Sequence, residues 1–135
     1  MSSLRFLLDT NICVYIKNRR DMRLVEAFNR YSFGELAVSV ITLGELEKGI
    51  AGSDQPEASR RALETILRHA PALPIDDVCA RHYGEIAKHL QRAGTPIGNN
   101  DLWIAAHARA LDVTLVSNNI REFQRVPQLK LEQWL

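Results

Sequence analysis

The chain has 135 residues, of which 46% are hydrophobic and 24% are charged, and its formal net charge is +1. This composition is ordinary for a globular protein and excludes a disordered chain, while the length favours one domain that spans residues 1–135. No segment approaches the roughly 20 consecutive apolar residues that a membrane-spanning helix needs, and residues 1–8 do not fit a signal peptide. The sequence therefore predicts a cytoplasmic protein without a membrane segment.

Short apolar runs alternate with longer helical patterns along the chain. In chain order, these patterns predict a strand at 4–8, helices at 11–18 and 21–31, a strand at 36–41, helices at 42–52 and 56–69, a strand at 72–75, helices at 76–93 and 100–111, and strands at 113–117 and 130–134. A proline in the first turn of 56–69 and a glycine after 76–93 agree with those helix bounds. Alternation of this kind is typical of a parallel sheet covered by helices, so we expect an α/β fold.

The cysteines and histidines do not suggest a site of their own. Cys13 and Cys79 are isolated, which argues against a disulfide framework or a structural zinc site, and we expect both thiols to be buried. His82 and His89 are too far apart on one predicted helix to chelate a metal from adjacent turns, and the other two histidines are isolated. We expect all four histidines at the surface or half-buried. The sequence also lacks a glycine-rich phosphate-binding loop and a serine nucleophile elbow.

Three acidic residues fall where ligands collect in parallel sheets, at the carboxyl ends of the strands. Asp9 follows the first predicted strand, Glu45 lies in the first turn of the helix after the second strand, and Asp101 lies in the first turn of a later helix. Carboxylates that are brought together repel one another, and a hard divalent cation such as Mg²⁺ or Mn²⁺ removes that conflict. The three acids therefore predict a metal site that activates water for attack on a phosphodiester.

Several polar residues are expected to support this site. Four of them are predicted to position the ion or its water by hydrogen bonds: Thr10, Asn11, Ser117 and Asn119. Asn119 joins the three acids as a candidate catalytic residue. With those acids set aside, the remaining 17 basic and 13 acidic residues give a charge of +4, which suits a salt-sensitive contact with RNA. The basic residues that could hold phosphates fall in three groups, at 17–23, 60–61 and 121–125.

Each acid also has a purely structural interpretation that the sequence leaves open. Thr42 and Glu45 fit a capping box, in which Glu45 only returns a hydrogen bond to the start of its helix. Asp101 can be favoured by the positive end of its helix, and Asp9 can be a plain N-cap. If all three acids were caps, the chain would be a binding module without catalytic activity.

The chain resembles the PIN-domain ribonucleases of the VapC toxin family over nearly its whole length. The resemblance is carried by six segments in a fixed order: 7–11 (LLDTN), 42–46 (TLGEL), 96–108 (PIGNNDLWIAAHA), 115–119 (LVSNN), 121–123 (REF) and 131–134 (LEQW). It implies a single PIN-like domain with a twisted, mainly parallel sheet flanked by helices, usually as a homodimer. Asp9, Glu45 and Asp101 match the family's metal-binding acids, which implies an endoribonuclease that uses Mg²⁺, with Mn²⁺ as a substitute.

The resemblance also implies partners. The chain would be the toxin of a type II toxin–antitoxin pair, with a VapB-like antitoxin that blocks the site and binds operator DNA together with the toxin. The substrate would be structured RNA, with the anticodon stem-loop of initiator tRNA as the expected target. One departure concerns Asn119, because many PIN domains have a fourth acid at that position. Three acids predict one tightly bound ion, with a second recruited only alongside the RNA phosphate.

Other functions that use aspartate on an α/β fold fit less well. A haloacid-dehalogenase-type phosphatase needs Asp-x-Asp after its first strand, and here Asn11 holds the second position. A response-regulator receiver domain needs an earlier acidic pair and a later strand-end lysine, and the sequence has neither. A flap- or rRNA-processing PIN nuclease without an antitoxin would share the same acids. The compact length without added domains favours the toxin.

Overall fold

The computed structural model describes residues 3–134. Its strands are β1 (Phe6–Leu8), β2 (Leu36–Ser39), β3 (Ala72–Leu73), β4 (Thr114–Val116) and β5 (Leu131–Glu132). They form one sheet in the order β3-β2-β1-β4-β5, and every neighbouring pair is parallel. Leu8 lies opposite both Val38 and Val116. The carboxyl ends of β1, β2 and β4 therefore meet at one edge of the sheet.

Seven helices connect and cover these strands within the described residues. They are α1 (Thr10–Lys17), α2 (Met22–Arg30), α3 (Val40–Ala51), α4 (Pro56–His69), α5 (Asp77–Ala93), α6 (Asn99–Leu111) and α7 (Ile120–Phe123). Across residues 3–134, none of the helices has the length and apolar character needed to cross a membrane.

The central strand β1 contributes to two hydrophobic cores, because side chains alternate across the sheet. Phe6 and Leu8 belong to the core on the side of α1, α2, α3 and α4. Leu7 belongs to the core on the opposite side, with residues of α5, α6 and α7. Leu7 and Leu8 are both completely buried, as expected for a parallel sheet that is covered on both faces. The strand ends that carry the candidate site are therefore fixed by packing from both sides.

The predicted α/β fold, with a parallel sheet flanked by helices, is confirmed, and the helix predicted at 56–69 has those bounds. The strand predicted at 36–41 is two residues shorter in the structure, because β2 ends at Ser39 and α3 begins at Val40. The Ser39 hydroxyl accepts a hydrogen bond from the Ile41 backbone N–H at 3.1 Å, so it acts as the N-cap. The four-residue helix α7 was not predicted.

The two cysteines are free and buried, as predicted. Burial raises the pKa of the Cys13 thiol, which keeps it protonated and unreactive. The expectation of surface or half-buried histidines was wrong for His107, which is 1% exposed inside α6. Burial lowers the pKa of His107, so its ring is neutral at physiological pH. His107 is therefore part of the core that supports α6.

Candidate active site

Asp9 lies at the centre of the candidate site, directly after β1. Its backbone N–H donates to the Val116 carbonyl at 2.9 Å, which extends the pairing of β1 with β4. The residue is only 3% exposed. One carboxylate oxygen accepts from the Thr10 backbone N–H at 2.7 Å, and the other accepts from the Ser117 hydroxyl at 2.8 Å. Burial raises the pKa of Asp9, and the bond from Ser117 partly offsets that rise.

Ser117 links Asp9 to the chain that follows β4. Its hydroxyl oxygen accepts a hydrogen bond from the Asn119 backbone N–H at 2.9 Å, while the hydroxyl group donates its own hydrogen bond to Asp9. The side chain is completely buried, so both bonds are shielded from water. Asp9 is therefore an N-cap of α1, as the structural interpretation proposed, and is also held from the neighbouring strand. A cap alone would not require this second contact.

Glu45 reaches the site from the second turn of α3. Its Oε1 accepts from the Thr10 hydroxyl at 2.6 Å, and the Thr10 hydroxyl also lies 3.0 Å from the Thr42 hydroxyl. The capping-box interpretation of Thr42 and Glu45 is wrong, because α3 begins at Val40 and is capped by Ser39. Glu45 therefore does not cap α3, and its carboxylate is turned toward Thr10.

Asp101 lies half-buried in the first turn of α6. Its pKa is raised to about 6, chiefly by burial and then by repulsion from Asp9, Glu122 and Glu45. A cleft of about 410 Å³, called here the carboxylate cleft, lies in front of Asp101. Its lining residues are Glu45, Gly98, Asn99, Asn100 and Asp101. Asp101 and Glu45 therefore face a common opening on the surface.

Glu122 is a fourth acid at the site, which the sequence analysis did not include. Its Oε1 accepts from the Gly98 backbone N–H at 3.0 Å, and its Oε2 accepts from the Asn119 side-chain amide at 2.7 Å. These two bonds lower the pKa of Glu122 and keep it ionised. A Cβ added at Gly98 would lie 3.7 Å from Asp101 Oδ2 and 4.0 Å from Glu122 Oε1, which places both acids beside this glycine. The signal in the sequence was an acid three residues after Asn119.

The predicted supporting residues differ in what they contact. Thr10 and Ser117 hydrogen-bond directly to the acids. Asn119 binds Glu122 through its side-chain amide, so the residue predicted to hold water instead holds the fourth acid. Asn11 is exposed on α1, and its side chain makes no hydrogen bond to any other residue within 3–134. The role of Asn11 stays a prediction.

The donor set fits a hard divalent cation in its chemistry. Glu45 and Glu122 both raise the pKa values of Asp9 and Asp101 at this edge of the sheet. Among the described residues, none of these four acids has a lysine, arginine or histidine within 4 Å. Repulsion of this kind is relieved by Mg²⁺ or Mn²⁺, which prefer oxygen ligands. Within the same residues, no three histidine, cysteine or acidic side chains already form a closed ligand set. The four acids lie near one another, and their side chains would have to adjust in order to coordinate an ion together.

The chain is similar to known proteins over nearly its whole length. Residues 6–129 match the PIN domain family. The chain is 41% identical to ribonuclease VapC2 of Haemophilus influenzae, over 98% of this chain and 99% of that protein. It is 38% identical to the tRNA(fMet)-specific endonuclease VapC of Shigella flexneri, over 97% and 98% of the two chains. The crystal structure of VapBC2 from Rickettsia felis, bound to a promoter DNA fragment, superposes with a TM-score of 0.91 at 38% identity, over 98% and 100% of the chains.

Proposed function

Because the chain belongs to the PIN-domain family and to its VapC ribonuclease branch, we propose that it is the toxin of a type II toxin–antitoxin pair and a Mg²⁺-dependent endoribonuclease. The observation that carries the proposal is the carboxylate cleft, where Glu45 and Asp101 open on the surface and repulsion from neighbouring acids raises the pKa of Asp101. A relative from Shigella flexneri is named for cleavage of tRNA(fMet). We propose the same substrate here, cut in its anticodon stem-loop, and expect the protein to act in the cytoplasm.

Asp9, Glu45 and Asp101 would hold the ion, with Glu122 as a fourth oxygen ligand on the side of α7. When bound, Mg²⁺ or Mn²⁺ would balance the acids, activate a water molecule and stabilise negative charge that develops on the phosphate. The Ser117 hydroxyl orients the Asp9 carboxylate by donating a hydrogen bond to it, and the Thr10 hydroxyl does the same for Glu45. Their task is to hold these oxygens in place before the ion and the RNA arrive.

The partners follow from the same family membership. A VapB-like antitoxin would cover the carboxylate cleft, and an arginine of that antitoxin could pair with Asp9 and Asp101 in place of the metal. The Rickettsia felis relative was crystallised as a VapBC2 complex on promoter DNA. We therefore propose that this chain contacts operator DNA only as part of its antitoxin complex, and that two copies associate as a homodimer.

The first test is cleavage of initiator tRNA by the purified protein. Wild-type protein is expected to cut the transcript in Mg²⁺ and to stop when EDTA is added. Asp9→Asn keeps the size and the capping ability of the side chain but removes its charge, so cleavage should fall by at least about a hundredfold while the circular dichroism spectrum is unchanged. Asp54→Asn, in an exposed bend, is the matched control. Cleavage near the wild-type rate by folded Asp9→Asn would rule out the proposed site.

A further inference from the structure

A second, smaller depression lies beside the carboxylate cleft on α3. It has a volume of about 300 Å³ and is called here the α3 groove. Its lining residues are Val40, Ile41, Gly44, Glu45, Lys48 and Asn100. Glu45 and Asn100 also line the carboxylate cleft, so the two depressions adjoin each other. Whatever occupies the cleft can extend into the groove without leaving the surface of the protein.

Lys48 brings an unpaired positive charge to this groove. It is exposed, and no carboxylate of residues 3–134 lies within 4 Å of its ammonium. Glu45, one helical turn earlier, is instead hydrogen-bonded by the Thr10 hydroxyl at 2.6 Å. Arg60 shows the contrast, because both of its terminal nitrogens bind the carboxylate of Glu47 at 2.6 Å. The Lys48 ammonium is therefore available to pair with an anion from outside the chain.

The rest of the α3 groove suits an extended, flexible ligand better than a single ion. Val40, Gly44 and Lys48 recur every four residues, so they lie along one face of α3. Gly44 is exposed, and a Cβ built there would meet nothing within 4 Å, so packing inside the chain does not require glycine. Its absent side chain leaves the helix backbone open as the floor of the groove. Val40 is 40% exposed and provides an apolar surface at the end nearer to β2.

We infer that the α3 groove binds the RNA nucleotides next to the scissile phosphate, with the Lys48 ammonium contacting one of their phosphates. The inference rests on the proposed ribonuclease function and adds the path of the substrate to it. Lys48 lies about 4.5 Å further along the α3 axis than Glu45, given the rise of an α-helix. A strand whose phosphate reaches the acids therefore passes Lys48 next, and the apolar surface near Val40 can pack against a base. Among the residues that line the two depressions, Lys48 is the one with a positive charge.

The test measures binding and cleavage of a fluorescein-labelled initiator-tRNA transcript. Binding is followed by anisotropy in EDTA over a series of KCl concentrations, and cleavage is followed in Mg²⁺. Lys48→Glu should raise both Kd and KM about tenfold, with a smaller effect on kcat. Lys48→Ala should lower the slope of log Kd against log salt by about 0.7, the value for one phosphate contact of a single strand. Lys48→Arg should restore binding.

Two further variants separate the groove from general effects of charge. Lys88→Glu changes an exposed lysine of α5 that lines neither depression, and its Kd should stay within about twofold of wild type because distant surface charges are screened. Gly44→Leu keeps every charge but fills the floor of the groove, and it should also raise KM. Equal effects of Lys48→Glu and Lys88→Glu, with cleavage by the wild type intact, would overturn the inference and leave the ribonuclease function standing.

Two other outcomes also decide the matter. If Lys48→Glu or Gly44→Leu changes the sedimentation coefficient of the RNA-free protein, this face of α3 is a contact between copies of the chain, and the inference is wrong. If wild-type protein neither binds nor cleaves any RNA, the proposed function fails and the groove assignment fails with it. Unchanged sedimentation together with a raised KM for both variants supports the RNA path.

Discussion

Asp101 carries a charge that the folded protein tolerates poorly without a counterion. Its pKa is about 6 in the fold, against an ordinary value of 3.8. Between these two values the folded chain binds more protons than the unfolded chain, so the stability of the metal-free protein falls as pH rises through this window and stays lower above it. The same ionised form is the one that would hold a cation. As pH rises, the stability of the metal-free protein therefore falls while the fraction of Asp101 that is ionised and able to bind a cation increases.

This opposition predicts the behaviour of Asp101→Asn. In EDTA at a pH of about 7.5, the variant should be more stable than wild type by about 1 kcal/mol, after allowance for the half-exposed position of the side chain. At a pH of about 4 the difference should vanish, because Asp101 is then protonated in wild type. Thermal denaturation at both pH values checks this, with Asp54→Asn as the control. A variant that is less stable than wild type at the higher pH would contradict the prediction.

Asn119 holds Glu122 in place through its side-chain amide, so the effect of replacing Asn119 depends on Glu122. The side-chain amide gives Glu122 one of its two hydrogen bonds. Asn119→Ala should therefore leave Glu122 less well oriented and weaken Mn²⁺ binding about tenfold, as is usual when a partner of a metal ligand is lost. Asn119→Asp should give no gain in affinity, because it removes the donor and adds repulsion beside Glu122. Calorimetric titration with Mn²⁺ measures both. Normal binding by Asn119→Ala with weak binding by Glu122→Gln would refute a positioning role.

At the scale of elements, the start of α3 determines where Glu45 points. Ser39 is completely buried, and its hydroxyl caps α3 directly after β2. Ser39→Ala should cost about 1 kcal/mol of stability, the usual value for a lost N-cap, and lower the melting temperature by about 4 °C. Turnover should also fall, because a frayed first turn loosens the position of Glu45. Ser32→Ala, at an exposed position before the turn at 33–34, is the control. An equal loss in both variants would argue against the capping role.

The elements that could be predicted from sequence are those with local signals. Pro56 marks the first turn of α4, and Gly94 follows α5 in a left-handed conformation, with φ of 70°. The start of α3 was misplaced because Val40 and Ile41 are β-branched and apolar, so they continue the pattern of β2. Only the hydrogen bond of Ser39 shows that the strand has ended.

The site was predictable to a similar extent. Local patterns drew attention to the three acids by predicting them at a strand end or in first turns, although Glu45 lies in the second turn because α3 begins at Val40. Glu122 was missed because its place depends on contacts across the fold. It binds the backbone of Gly98, which is 24 positions away, and lies in a helix of only four residues. The link between Thr10 and Glu45 spans 35 positions and is equally invisible in local sequence. Position along the chain therefore indicated three of the acids, whereas the fourth, Glu122, is brought to the site by the packing of α7.

At the scale of the whole molecule, the carboxylate cleft is open on the surface, and within residues 3–134 no element of the chain's own closes it. An active nuclease of this kind needs external control. Production of the chain alone in a bacterium is therefore expected to arrest growth, and co-production of its VapB-like antitoxin should restore it. Asp9→Asn should be harmless at the same protein level, measured by immunoblot. Normal growth with wild-type protein that cleaves RNA in vitro would instead favour a processing nuclease.

The late position of β4 in the chain determines when the site can assemble during synthesis. Asp9 depends on Ser117, which lies 108 positions later, and β4 must pair with β1 before that contact exists. A nascent chain on the ribosome can form α1 to α4 against one side of β1 and still lack the second strand neighbour, Ser117 and Glu122. Such a chain has its first acids but no assembled cleft. A growing polypeptide therefore cannot assemble the proposed ribonuclease site until β4 and α7 have been synthesised and have packed against β1.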